Sequence, residues 1–222
     1  MRRQPDSDDR GQAFTLEGII SAVIVLTALL YALQAVVITP TTGGTVDQGV
    51  RSELQRQADD ILSIAGGDDD GRMSELTRNW SQSRRTFYGA VNPNIGFGNQ
   101  RLPGEFGTLL NETFDSRDRQ YNVVMRYLPK NASKGIQQTA IAARGTPSDS
   151  SVTATYRVTL YDNMTLTSPT AGSAELWQYD TCPTVNGDDC PDSESYQSGY
   201  YPVPNAVDGA VYNVVEIRVI VW

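Results

Sequence analysis

The side chains that could carry chemistry are few, and their spacing narrows what they can do. The chain has 222 residues, no His, two Cys and two Lys. Without His, general acid–base work falls to carboxylates, Tyr or the two lysines, Lys130 and Lys134. No Ser-x-x-Lys, no Gly-x-Ser-x-Gly and no phosphate-binding glycine loop occurs. Asp68-Asp69-Asp70-Gly71 has the composition of a calcium loop. The Glu that an EF-hand places six residues after its Gly is replaced by Thr77, however, so the run reads as a solvated acidic turn. Cys182 and Cys190 lie in a loop rich in Pro, Gly and Asp, and two ligands do not make a structural zinc site. Outside the cell they read as a disulfide; two free thiols would require a reducing compartment. Asn79, Asn111, Asn131 and Asn163 each begin an Asn-x-Ser/Thr sequon with no Pro in the middle, and are N-glycosylation candidates. Tyr196, Tyr200 and Tyr201, near Pro202 and Pro204, read either as a contact surface or as packing on their own sheet. No catalytic residue, metal site or cofactor follows from this inventory, and the expectation is a protein that is not an enzyme.

Charge narrows the partners. Asp plus Glu number 26 against 18 Lys plus Arg, for a net charge of −8. Such a surface repels phosphates and argues against nucleic acid as a partner. The near-absence of Lys, with Arg in its place and Asp exceeding Glu, fits an acidic surface kept hydrated in high salt, as in a halophile.

The element that must position the rest is an apolar run near the N-terminus. From Gly18 to Val46 no residue is charged, and twelve of the residues from Ile19 to Ile38 are Ile, Val or Leu. A helix of about twenty such residues spans a hydrocarbon core of about 30 Å. The sequence therefore predicts a transmembrane helix over 12–39, with the lipid bilayer as a partner. A secretory signal has a shorter core followed by a small-residue cleavage site. Here the run is longer, and the distinctive motif, Arg10-Gly11-Gln12, precedes it.

That order resembles the leader of the type IV pilin superfamily. Arg10-Gly11-Gln12 is similar to the processing site of archaellins, and Phe14-Thr15-Leu16-Glu17 is similar to the opening of bacterial pilins. The resemblance implies cleavage after Gly11 by a prepilin-type peptidase, with Gln12 becoming the mature N-terminus. It also implies assembly with other pilin-like subunits through Glu17. Glu17 is the sixth residue after Gly11, one later than the usual pilin Glu. Residues 1–11 read as a disordered cytoplasmic leader. Sequons, cysteines and leader together predict a single-pass protein of the cell membrane, with the C-terminal domain extracellular.

Beyond the helix, Pro40 and Gly43-Gly44 predict a hinge over 40–46. Asp47 can cap a helix running to about Ala65, with Val50, Leu54, Ala58, Ile61, Leu62 and Ile64 on its apolar face. Met73 to about Arg85 reads as a second amphipathic helix and Glu105–Phe114 as a third. Period-two alternation marks strands at Tyr121–Leu128, Val152–Tyr161 and Val211–Trp222. The expected fold is α+β: a single N-terminal transmembrane helix, then an ectodomain over 47–222 of amphipathic helices packed on a small antiparallel sheet. The expected function is a membrane-anchored, pilin-like subunit or accessory component of a type IV pilus-like filament or pseudopilus. The alternative is a membrane-anchored surface binding or sensor protein that does not polymerise.

Overall fold

A computed structural model of the chain describes residues 7–34, 42–67, 71–179, 199–207 and 209–222. The chain divides into two compact units, Met1–Val46 and Asp47–Trp222.

Helix α1 spans Ser7–Gln34 and helix α2 spans Thr42–Gly67. The expected transmembrane helix is corrected here. Among the described residues, no helix is long and apolar enough to cross a membrane. The physical reason lies in length and charge within the described residues: the described helix covers Ser7–Gln34, and Asp8, Asp9 and Arg10 fall within its first turns. Its uncharged part, between Glu17 and Gln34, extends about 24 Å at about 1.5 Å per residue, short of a hydrocarbon core of about 30 Å. Residues 7–11, expected to be a disordered leader, are helical. Gly43-Gly44 and Asp47, expected in a hinge and at a cap, lie inside α2. Pro40 lies outside the described residues.

The C-terminal unit is α+β. Helix α3 (Gly71–Arg78) leads into a short hairpin, β1 (Trp80–Ser81) and β2 (Thr86–Phe87). Helix α4 (Gly104–Thr113) precedes four strands: β3 (Tyr121–Tyr127), β4 (Gln137–Ala142), β5 (Val152–Tyr161) and β6 (Val211–Val221). These four form one antiparallel sheet in the order β4-β3-β6-β5. The last strand of the chain is thus central, and alternation dictates which side of it is buried. Val215, Ile217, Val219 and Val221 are fully buried, as are Val123 and Met125 of β3 and Leu160 of β5. They share one core with Leu54, Ala58, Ile61, Leu62 and Ala65, the apolar stripe of α2. Val50 and Ile64, expected on that stripe, are exposed.

α3 stops earlier than the sequence predicts because Trp80 is needed elsewhere. In the hairpin it faces Phe87 edge-on, at 5.5 Å between ring centroids. A helix continuing to Arg85 would carry it away from that partner. Strand β4 carries no alternation to announce it, since Gln137, Gln138 and Thr139 open it at the sheet edge.

Candidate functional site

The first candidate surface is α1. Every described side chain from Thr15 to Tyr31 is exposed, around the full circumference of the helix. Leu16, Ile19, Ile24 and Tyr31 are each more than 60% exposed. The hydroxyl of Thr27 turns back and donates to the Val23 and Ile24 carbonyls, at 2.7 and 3.0 Å. The Thr27 hydroxyl is thereby satisfied inside the helix, and most of the surface around it is aliphatic. Glu17 is exposed, one residue before the uncharged part begins. Arg10, Gly11 and Gln12 lie within the first two turns of α1.

Each sequon has its own setting. Asn79 follows α3 half-buried, and the Ser81 of its sequon is buried, 3.4 Å from the Ser83 hydroxyl. Asn111 lies within α4. Asn131 is exposed, and its Oδ1 accepts from the backbone N–H and the hydroxyl of Ser133, at 3.0 and 2.7 Å. Asn163 is exposed in the turn after β5. The Cys182–Cys190 pair, Asp68–Asp70 and Tyr196 lie outside the described residues. Of the remaining tyrosines, Tyr201 is fully buried and donates to the Thr77 carbonyl at 3.0 Å. Its ring and that of Tyr200 face Trp80, at 6.3 and 6.0 Å. Both belong to the packing of their own domain.

The second candidate surface is the outer face of the sheet, which sequence reasoning did not find. Register places Arg126, Glu216 and Arg157 side by side across β3, β6 and β5, with Arg218 two residues along β6. Arg126 Nη1 and Arg218 Nη2 both donate to Glu216 Oε1, at 2.8 and 2.9 Å. Burial pushes the Glu216 carboxyl up, but the hydrogen bonds from Arg126 and Arg218 and their charges outweigh it, and the net shift is downward. Arg157 is exposed and makes no ion pair among the described residues. A cavity of about 240 Å³ opens here, lined by the charged Arg126, Arg157 and Glu216 and the apolar Leu128, Ile136 and Val214. Three arginines against one glutamate leave this face positive in a chain whose net charge is −8.

A larger cavity, of about 400 Å³, lies between α3 and the start of α4. Arg72 and Glu105 form an ion pair at its rim, and Glu75, Asn79, Phe106 and Thr167 line the rest. Among the described residues, no group of three or more His, Cys, Asp or Glu could hold a metal ion. No nucleophile is paired with a base in either cavity. What the two surfaces offer is contact: one apolar and helical, the other cationic.

The chain matches the family DUF7288, described as a family of unknown function, over residues 10–221. It belongs to that family. No curated protein and no solved structure matches it. The family match begins at Arg10 and covers both α1 and the sheet domain, so the two units occur together as one family architecture.

Proposed function

We propose that this DUF7288 protein is a pilin-like subunit or accessory component of a surface filament, assembled through α1. The observation that carries the reading is the apolar surface of Thr15–Tyr31, exposed on every side of the helix. Burying a large aliphatic side chain stabilises by about 1.5–3 kcal/mol relative to leaving it in water. Even half of that for each of the exposed aliphatics of α1 is a driving force of order 10 kcal/mol toward a partner. Helices of the same kind from other copies supply one, and a bundle of them would form a filament core. The Arg10-Gly11-Gln12 motif and the start of the family match at Arg10 support removal of the residues before Gln12 by a prepilin-type peptidase. The C-terminal domain, with its acidic charge and exposed sequons, would then face outward at the cell surface.

The test is immunogold electron microscopy of cells carrying the tagged full-length protein, with mass spectrometry of the N-terminal peptide. Label along filaments, and a mature chain starting at Gln12, are expected. Label spread over the envelope, with the protein monomeric in gentle detergent extracts, would overturn the filament reading.

A further inference from the structure

The two edges of the main sheet are finished differently. At β4, the turn around Gly96 closes one end: Phe97 N–H donates to the Ile141 carbonyl at 2.7 Å, and Ala143 N–H to the Ile95 carbonyl at 2.9 Å. Gly96 adopts φ +58°, and any Cβ there would overlap the Ile141 carbonyl, so the turn is built to sit on this edge. Among the described residues, β5 has no such cover. Gln120 and Trp222 exchange both backbone hydrogen bonds, at 3.2 and 3.0 Å, so the even-numbered residues of β6 bond toward β3. Its odd-numbered residues therefore bond to Val152, Ala154, Tyr156 and Val158. Thr153, Thr155, Arg157 and Thr159 turn their backbone groups outward. The Thr153 carbonyl confirms the direction by accepting from Gln55 Nε2 at 3.0 Å. The backbone groups of Thr155, Arg157 and Thr159 have no partner among the described residues.

An open edge pairs readily with another extended chain, and a charged side chain on it is a common guard against doing so. A guard of one sign, however, is also a selector for the other sign. Arg157 stands mid-edge, exposed and, among the described residues, without an ion pair, beside a face where Glu216 is shared by Arg126 and Arg218. The Nε of Arg218 is buried with no hydrogen-bond acceptor. Neutral or basic strands placed here would leave Arg157 facing nothing or a like charge. A strand with a carboxylate in register would supply the missing anion as well as the main-chain ladder.

We propose that the open edge of β5 accepts an extended acidic segment of a partner polypeptide as a fifth strand, with Arg157 selecting its carboxylate. Main-chain hydrogen bonds from Thr155, Arg157 and Thr159 supply the affinity. The Arg126–Arg157–Arg218 face supplies the selection. The proposal stands apart from α1 assembly, because neither surface needs the other.

Full-length protein in detergent micelles is titrated into fluorescein-labelled peptides, and anisotropy reads the affinity. The peptides are a Thr/Val octapeptide with Glu at alternate positions, its Lys counterpart, and the Glu peptide N-methylated at the amides that would face β5. The Glu peptide should bind at least tenfold more tightly than the Lys peptide, and N-methylation should cost at least tenfold. Arg157→Glu should reverse the preference between the Glu and Lys peptides, and Arg157→Gln should abolish it. Unchanged preference in Arg157→Glu would overturn the selecting role. Equal binding of the N-methylated peptide would reduce the contact to charge alone and overturn strand addition, and no binding by any peptide would overturn the site. Labelled filaments in the microscope with no peptide binding would sink this inference and leave the assembly reading intact; the converse would do the opposite.

Discussion

α1 and α2 are nearly equal in length, 28 and 26 residues, and differ in where their apolar surface goes. α2 gathers Leu54, Ala58, Ile61, Leu62 and Ala65 into one buried stripe and leaves Glu53, Arg56, Asp59 and Asp60 outside. α1 is apolar all round and buries none of its described side chains. A one-sided helix finds its partner within its own domain. A helix apolar on every side needs partners on every side. The contrast divides the molecule by what stabilises each part: the C-terminal domain by its own core, α1 by whatever covers it.

The sharpest way to break one side alone is to damage the core of the domain. Gly107, in the first half of α4, is buried, and a Cβ at this position would overlap the Leu102 carbonyl. That neighbour is backbone and cannot rotate away. Gly107→Ala should cost the domain about 3 kcal/mol, a typical penalty for overpacking. In a domain of this size the thermal midpoint should fall by roughly 6–12 °C. Near-UV circular dichroism in detergent would show the loss, while the α1 contribution to the far-UV signal should persist. A loss of both signals together would mean that α1 depends on the domain after all.

How much of this was legible in the sequence depends on whether one element sufficed. β3, β5 and β6 announced themselves because each buries one face, and alternation is the direct consequence. β4 did not, because an edge strand opening on Gln137-Gln138-Thr139 has little to bury. Leu76 and Trp80 have helical spacing, yet Trp80 turns into a hairpin to meet Phe87, a tertiary demand that periodicity cannot express. The apolar composition of α1 was evident, but the described helix, Ser7–Gln34, holds only part of the run from Ile19 to Ile38 on which the spanning length rested. The cationic face was out of reach for another reason. Arg126 and Glu216 are ninety positions apart, and only the register of β3 on β6 makes them neighbours. The one local hint was Glu216 and Arg218 sharing the polar side of β6.

A gentler separation of the two regions uses pH. The aromatic core of the domain holds Tyr121, Tyr127, Tyr200 and Tyr201, and burial raises the hydroxyl pKa of each above the usual value near 10. For Tyr200 it is pushed up to about 12. The unfolded chain releases these protons first, so between the two values the folded state holds more protons than the unfolded one. Stability from these groups is therefore complete below about pH 10 and lost as pH rises toward 12 and beyond. Ultraviolet titration of phenolate should show a delayed, cooperative step that coincides with loss of the near-UV signal. α1 carries only Tyr31, which is exposed. Its helicity in detergent should pass through the same range unchanged. Ordinary titration of all eleven tyrosines near pH 10, with the fold intact, would contradict the buried cluster.

The smallest expected effect on stability belongs to Glu17, and it is the most informative about α1. Glu17 is exposed, and its removal should leave the C-terminal domain unchanged and alter the helix by a few tenths of a kcal/mol at most. On the assembly reading, the charge acts only in the filament. Cleavage after Gly11 creates an amino group on Gln12, within one to two helical turns of Glu17. In a bundle of α1 helices, a neighbour's amine would then meet this carboxylate in apolar surroundings, where such a pair matters far more than in water. Glu17 is one residue later than in the usual pilin, which turns it by about 100° around the helix. The neighbour that meets it would therefore lie on a different side. Glu17→Gln keeps the shape and removes the charge. The variant should be processed normally, with unchanged thermal midpoint and helicity, yet be lost from filaments in the same immunogold assay that labels the wild type. If the Gln variant enters filaments as the wild type does, α1 assembles by apolar contact alone, and the charge at position 17 serves no pairing role.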